Sequence, residues 1–290
     1  MAPEPILPTS NETSATASVD SGSPTRTTAK TSLVERWGLR EEINIHYADI
    51  PVCLCSLTSG LCDSVAFNAS SVFVSMQTGN TIFLALGTAG LPASVPLLWL
   101  KSLCSIGAFM AGVFVFGQTR HVRPTAKLTL AANFLAQSIF IFAAAALAQG
   151  GVAPSFSLLS VAEALSREDH ADLRALGPIV LLAFQFGGQI CSSRILGFNE
   201  VPTNVLTSVY CDLFNDPNLL APWKANKKRN RRASAVVLML VGGIIGGWLA
   251  KSDAGMSTAL WIAGAIKFGI ATAWLLWKPK QQQAPPAEKR

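Results

Sequence analysis

The side chains best suited to chemistry lie in one short stretch, SMQTGNTIFLAL, at residues 75–86. Its first half is crowded with amide and hydroxyl groups, which donate and accept hydrogen bonds, from Ser75, Gln77, Thr78, Asn80 and Thr81. Gly79 can supply an unusual turn, and the second half, from Ile82 onward, is apolar. Such groups can pair with free backbone groups or bind a polar solute.

Two charged residues lie inside apolar stretches. Asp63 stands about two-thirds of the way through the first such stretch, and Lys267 stands near the middle of the last. A charge at the centre of a membrane helix costs about 2.5–3.5 kcal/mol on insertion scales unless it is paired or hydrated. We therefore expect Asp63 and Lys267 to pair inside the helix bundle, either as a structural ion pair or for proton or ion coupling.

The composition predicts a membrane protein, with the lipid bilayer as its main partner. The chain is 50% hydrophobic and only 14% charged, whereas soluble domains are about 25% charged. The net charge of +6 comes from Lys and Arg that lie mostly between apolar stretches, a distribution typical of orientation signals. We therefore predict no nucleic-acid partner.

The chain divides into a membrane domain and two tails. Residues 1–45 are predicted to be a disordered, cytoplasmic tail rich in Ser, Thr and Pro, because the segment has few bulky apolar groups. Residues 46–278 form the predicted membrane domain, and residues 279–290 a cytoplasmic tail. The six cysteines lie in or beside apolar stretches without zinc-type pairs, which indicates buried core residues.

Six stretches approach the roughly 20 apolar residues that a helix needs to cross a hydrocarbon core about 30 Å thick. These predicted spans cover approximately residues 50–69, 97–117, 128–148, 176–197, 233–250 and 257–277. Two further stretches, 72–90 and 201–214, are ambiguous. The first is polar at its start, and the second rises only about 21 Å as a helix.

The distribution of Lys and Arg favours a topology in which neither ambiguous stretch crosses the membrane. Basic residues precede the first span, follow the last, and fill two connections, the second of them a basic loop at 224–232. Short cytoplasmic segments have this excess of positive charge. The connection at 149–175 also contains acidic residues and is predicted to lie outside. Stretches 72–90 and 201–214 must then each begin and end on one side.

The predicted spans form two halves with the same plan, repeat 1 at about 50–148 and repeat 2 at about 176–277. Each half has three spans and one re-entrant or broken segment, and because three is odd, the second half is inverted. The predicted fold class is therefore an all-α integral membrane protein built from two inverted three-helix repeats. Many transporters share this plan, with sites near the midplane. The alternative is that 72–90 is a full span whose polar groups bond a neighbouring helix.

Other polar residues extend the candidate site. Gln185 and Gln189, one helical turn apart, either line a solute path or hydrogen-bond a neighbouring helix. The predicted substrate-binding residues are Asp63, Gln77, Thr78, Gly79, Asn80, Thr81, Gln189, Thr203, Asn204, Thr207 and Lys267. We predict no catalytic residue, no metal ligand and no cofactor.

The stretch VGGIIGGW at residues 241–248 contains two overlapping GxxxG spacings, Gly242 with Gly246 and Gly243 with Gly247. Small residues at this spacing let two membrane helices approach closely. We therefore predict that this helix packs tightly against another.

Three motifs carry a resemblance to a known family: GLCDSVAF at 60–67, FVSMQTGNTIFLAL at 73–86 and EVPTNVLTSVYCDL at 200–213. Together they resemble the YoaK-like family of multi-pass membrane proteins, the domain of unknown function 1275. The resemblance covers roughly residues 45–278 and implies about six spans and a transporter-like protein of no established activity. Family members often have Thr-Gly in the second-half segment, where this chain has Thr207-Ser208.

The predicted function is a small-solute transporter or channel-like carrier, with both short segments facing a central cavity. The alternative is a non-transporting scaffold or regulator that presents cytoplasmic segments to partners. An enzyme is not expected, because the chain has no HExxH, GxSxG or Walker lysine motif. Both termini are predicted to be cytoplasmic, and a homo-oligomer is left open.

Overall fold

The computed structural model of the protein describes residues 38–95, 97–157 and 173–280. Residues 1–37 and 281–290, which are parts of the predicted tails, lie outside the described residues. Residues 158–172, which make up most of the acidic connection at 149–175, are also not among the described residues.

Eight helices of at least eight residues run through the described part of the chain. They are α1 Asp49–Ser70, α2 Thr78–Gly87, α3 Leu98–Gly117, α4 Lys127–Gln149, α5 Leu176–Ile195, α6 Thr207–Phe214, α7 Lys227–Lys251 and α8 Gly255–Leu276. Six of them are long and apolar enough to cross a membrane. Helices α2 and α6 rise only about 15 and 12 Å, far less than a core about 30 Å thick. The predicted all-α fold with six spans is confirmed.

The helix boundaries follow local signals. Pro51 and Pro178 both stand in the first turn of a helix, where no backbone N–H is needed. Helix α7 begins at Lys227, six residues before the predicted span, so most of the predicted basic loop at 224–232 is helical. The reason is a cap: the side chain of Asn226 accepts a hydrogen bond of 3.0 Å from the Arg229 N–H.

The long helices form three pairs: α1 with α7, α3 with α5, and α4 with α8. Helices α4 and α8 are antiparallel, since Phe134 lies near Trp274 and Phe142 lies near Trp261. Gly242 of α7 lies against Leu57 of α1, and Gly246, one turn later in α7, lies against Ser64, further along α1. These two helices are therefore parallel.

The helix directions place both short helices at the ends of the bundle. The end of α1 meets the start of α8 through Asn68 and Met256, 3.2 Å apart, whereas α3 is parallel to α5 and runs opposite to α1. Residues 71–97 therefore begin and end at one end of the bundle, and residues 196–226 do so at the other. We call residues 71–87 hairpin 1 and residues 196–214 hairpin 2. This arrangement agrees with the topology that the basic residues predict.

Glycines allow the backbones of α1 and α7 to touch. A Cβ atom at Gly60 would lie 2.1 Å from the Met239 carbonyl oxygen, and one at Gly242 would lie 2.3 Å from the Leu57 carbonyl oxygen. Gly246 also faces α1, whereas a Cβ at Gly247 would meet nothing within 4 Å. Close packing is thus confirmed for one of the two predicted GxxxG pairs.

Helices α3 and α5 make the same kind of contact. A Cβ atom at Gly112 would lie 2.0 Å from the Phe184 carbonyl oxygen, and one at Gly187 would lie 2.4 Å from the Phe109 carbonyl oxygen. Only glycine allows backbones this close. The two helix pairs are therefore held in a similar way.

Residues 38–45, which the sequence analysis assigned to the disordered tail, are hydrogen-bonded to distant parts of the chain. The N–H of Ile43 donates to the Thr125 carbonyl at 3.0 Å, and that of Asn44 donates to the Lys278 carbonyl at 2.9 Å. Ile43 is also buried. The partners are distant in sequence, and for this reason composition alone missed this order.

We expect the substitution Gly242→Ala to lower the thermal stability of the purified protein in detergent. The new methyl group would clash with the α1 backbone, and overpacking of this kind costs about 1–3 kcal/mol. The matched control is Gly247→Ala, which adds the same methyl group to the same helix where nothing lies within 4 Å. Equal melting temperatures for the two variants would contradict the proposed glycine contact.

Candidate functional site

Asp63 holds the loop of hairpin 1 against α1. Its Oδ1 accepts hydrogen bonds of 2.8 Å from the backbone N–H groups of Val74 and Ser75, and its Oδ2 accepts one from the Ser75 hydroxyl. Asp63 is 6% exposed and stands about 10 Å before the end of α1. The chain therefore folds back along α1 by about two helical turns before α2 begins.

Asn80, in the first turn of α2, secures the same loop. Its side-chain oxygen accepts from the Phe73 N–H at 3.0 Å, and its amide donates to the Phe73 carbonyl at 2.6 Å. The Ser105 hydroxyl of α3 donates to this carbonyl at 2.8 Å, and the Asn80 amide reaches the Gln77 side-chain oxygen at 2.7 Å. Gly79 packs against the Phe73 ring. These polar side chains thus pair with loop backbone, one of the two uses that the sequence left open.

Three of the predicted site residues lie elsewhere. Thr78, Thr81 and Thr207 are exposed on the short helices, and the Thr81 hydroxyl donates to the carbonyl of Gln77, the residue just before α2. The structure therefore does not bring these three threonines together with the buried polar residues.

Hairpin 2 is held against α5 by neutral side chains. The Asn204 amide donates to the Phe186 carbonyl at 3.1 Å, and the Ser193 hydroxyl donates to the Val201 carbonyl at 2.6 Å. Thr203, in the same loop, has a φ of 64°, which a β-branched residue rarely adopts. The surrounding hydrogen bonds therefore hold a strained turn in place.

Gln189 links hairpin 2 to α1. Its amide nitrogen lies 2.8 Å from Asn204 Oδ1, 3.1 Å from Thr203 Oγ1 and 2.8 Å from Ser59 Oγ. The Thr58 hydroxyl donates to the Gln189 side-chain oxygen at 3.1 Å. We call these five residues the central cluster, and each of them is at most 2% exposed. The cluster joins the first half of the chain to the second through amides and hydroxyls.

Lys267 lies in the bundle interior, as predicted, but it does not pair with Asp63. Its ammonium group donates to Gln137 Oε1 at 2.7 Å, lies 3.8 Å from Cys55 Sγ, and stands 5.1 Å from the centroid of the Phe134 ring. The predicted ion pair is therefore wrong. Lys267 faces α4, whereas the carboxylate of Asp63 is occupied by hairpin 1.

Gln185, one turn before Gln189, is fully buried without a hydrogen-bond partner. Neither its amide nitrogen nor its oxygen is paired within the described residues, and the buried hydroxyls of Ser56 and Ser102 are also unpaired there. Buried polar groups are normally hydrogen-bonded. Gln189 thus bonds α1 and hairpin 2, whereas the side chain of Gln185 is left unpaired among the described residues.

The sequence analysis missed several buried polar residues of the interior, among them Thr58, Ser59, Lys101 and Gln137. Gln137 could have been found by the test that found Lys267, since it is a strongly polar residue in the middle of an apolar stretch. Thr58 and Ser59 carry no such signal, because hydroxyl side chains in membrane helices commonly bond to their own helix. Lys101 stands in the first turn of α3, where lysine usually reaches out of the membrane.

We expect the effects of Asp63→Leu and Lys267→Met on the free energy of unfolding to be additive. Asp63→Leu leaves two buried N–H groups unpaired and costs about 1–3 kcal/mol for each. Lys267→Met keeps a similar volume but leaves the buried Gln137 Oε1 without its donor, so it is expected to cost no more than about 1–3 kcal/mol. A double-mutant cycle measured by denaturation in detergent would show coupling below about 0.5 kcal/mol. A larger coupling energy would indicate that Asp63 and Lys267 do form an ion pair.

The family model described as "Protein of unknown function (DUF1275)" matches residues 52–273 of the chain. Comparisons with curated proteins and with solved structures gave no match. The matched region runs from α1 to α8 and includes both hairpins and the central cluster. The family resemblance of the sequence is thus confirmed. With six apolar helices of membrane-spanning length, the chain is a multi-pass membrane protein that belongs to the DUF1275 family of proteins of unknown function.

Proposed function

We propose that the protein is a small-solute permease or channel-like carrier built from two inverted three-helix repeats. The first repeat contains α1, α3 and α4, and the second contains α5, α7 and α8. Hairpins 1 and 2 are the broken segments of the two repeats. Gln185 and the central cluster form the solute site, with Lys267 beside it.

Equivalent contacts in the two halves support the inverted repeat. Gly60 of α1 and Gly187 of α5 occupy the same place in their halves, and so do Gly112 of α3 and Gly242 of α7. Each glycine approaches a backbone carbonyl of its partner helix. The first repeat starts at the end of the bundle opposite to the second, so its helices run in opposite directions to their counterparts.

The single observation that carries the proposal is that two hairpins enter the bundle from opposite ends and fold back along the first helix of each half. Asp63 receives the first, and Gln189 receives the second. Non-helical backbone at membrane depth is tolerated only where protein covers it or where it lines a wet cavity. Transporters place their substrate sites at such broken segments.

The central cluster also suggests how a solute path is closed. Its hydrogen bonds cross between α1 of the first repeat and α5 and hairpin 2 of the second. A movement of the helix pair α1–α7 against the pair α3–α5 would break these bonds and free amide and hydroxyl groups for a polar solute. In this proposal the structure is a closed state, and the unpaired amide of Gln185 lies one turn from the closure.

A membrane scaffold or regulator is the second candidate function. One observation favours it: the polar groups of Asp63, Asn80 and Gln189 are satisfied by the protein itself. In that case these residues only stabilise the hairpins. Stability and flux measurements on the same variants separate the two candidates.

Cysteine labelling from each side of the membrane tests the two inverted repeats. In a variant without native cysteines, we expect Ala93→Cys, between α2 and α3, to be labelled from the same side as Val152→Cys. Leu220→Cys, between α6 and α7, should be labelled from the same side as Val122→Cys. All four positions are exposed. Labelling of Ala93→Cys from the side of Val122→Cys would mean that residues 72–90 cross the membrane.

We expect Gln185→Leu to abolish solute flux without lowering stability. The substitution removes two unpaired buried polar atoms, so the melting temperature should stay the same or rise. Flux would be measured by light scattering of proteoliposomes that swell as polyols, sugars, urea or amino acids enter.

Two comparisons complete this experiment. Gln189→Leu breaks the hydrogen bonds of the central cluster and should lower the melting temperature, which shows that the assay detects structural damage. The carrier proposal fails if wild-type vesicles swell no faster than protein-free vesicles with every solute. It also fails if Gln185→Leu retains full flux while remaining folded.

A further inference from the structure

We propose that the protein binds one anionic phospholipid in a groove at the end of the bundle where α1 and α7 begin. The groove has a volume of about 900 Å³. It lies between the starts of these two helices, the residues just before α1 and the residues just before α7. We call it the end groove. It is separate from the central cluster and does not depend on the transport function.

The outer part of the end groove is positively charged. Lys224 and Lys227 line it, both are exposed, and neither ammonium group has a hydrogen-bonding or acidic partner among the residues that the structure describes. Arg231 also lines the groove, but its single positive charge is already offset by two carboxylates, Asp49 and Glu200, each at 2.8 Å. The two lysines therefore supply the unpaired charge of this site.

The acidic residues near the lysines are already engaged. Asp49, in the groove wall, is bound by Arg231. Asp216 accepts two hydrogen bonds of 3.0 Å from the Asn226 side chain and lies 3.6 Å from Arg232. An anion in the groove would thus meet free ammonium groups instead of replacing an internal salt bridge.

The inner part of the end groove is apolar. Ile50 and Leu54, one turn apart on α1, face Leu238 of α7 across it. Leu238 stands eleven residues beyond Lys227, or about 16 Å deeper along the helix. The lining therefore changes from basic to apolar along the membrane-spanning direction. A phospholipid has the same arrangement, with its phosphate at one end and its acyl chains at the other.

Aromatic residues mark the mouth of the groove as a membrane interface. Tyr47 is 65% exposed and Trp223 is 67% exposed, although both line the groove. Exposed Trp and Tyr are typical of the level of lipid headgroups. The Trp223 position is fixed, because its carbonyl accepts a hydrogen bond from the Asn230 side chain and its ring lies 5.9 Å from the Arg229 guanidinium. These two contacts hold Trp223 at the mouth of the groove.

The test measures lipid retention by native mass spectrometry of the full-length protein, exchanged from detergent with phosphatidylglycerol or phosphatidylcholine. Wild-type protein should retain one phosphatidylglycerol in preference to phosphatidylcholine. A basic residue near a membrane surface contributes about fivefold to the binding of anionic lipid. The variant Lys224→Ala/Lys227→Ala should therefore lose about 30-fold of this preference, and each single variant about fivefold.

The matched control is Lys228→Ala/Lys278→Ala, which removes two exposed lysines from the same end of the bundle but outside the groove lining. The control should keep the preference, and an equal loss in the control would overturn the proposal. Leu238→Trp fills the apolar part and should weaken retention while both lysines remain. If glycerol phosphate competes for the site as well as the intact lipid does, the groove binds a soluble anion and the lipid proposal is wrong. No preference in wild-type protein would overturn it as well.

Discussion

The structure depends on one constraint: the backbone of two non-helical loops must be hydrogen-bonded inside the protein. At membrane depth, water does not pair free N–H and C=O groups, and each unpaired group costs several kcal/mol. Hairpin 1 meets this constraint with one carboxylate, which accepts from two consecutive N–H groups, and with the amide of Asn80. Hairpin 2 meets it with Ser193 and Asn204. The polar residues inside the apolar helices are thus explained first by the loops that they hold.

The glycine contacts explain how the same bundle combines rigid and adjustable parts. In the pairs α1–α7 and α3–α5 the backbones touch, so these pairs cannot slide without steric clash. Between the pairs, by contrast, hydrogen bonds of the central cluster join α1 to α5, and the bond from Gln137 to Ser192 joins α4 to α5. Hydrogen bonds can exchange partners with little change in backbone position. Relative movement would therefore occur between the helix pairs and not within them.

The positions of the two buried charges show what sequence patterns can and cannot predict. The depth of Asp63 and Lys267 follows from their distance to the ends of their spans, and both are buried as expected. Their partners depend on the rotation of each helix about its axis and on which helix lies next to it. Neither quantity is encoded in the apolar pattern, because these helices are apolar on several faces. The predicted ion pair was wrong for this reason, although the predicted burial of both residues was correct.

The sequence by itself determined the membrane class, the six spans and the fact that each short segment begins and ends at one end of the bundle. Run length, charge placement and the parity of crossings are properties of the chain taken in order, so no contact was needed to derive them. Tertiary structure decided which polar residues meet, that residues 38–45 are ordered, and that Thr78, Thr81 and Thr207 face outward. These outcomes depend on pairing between parts of the chain that are distant in sequence, and the geometry of packing is the only source of that information.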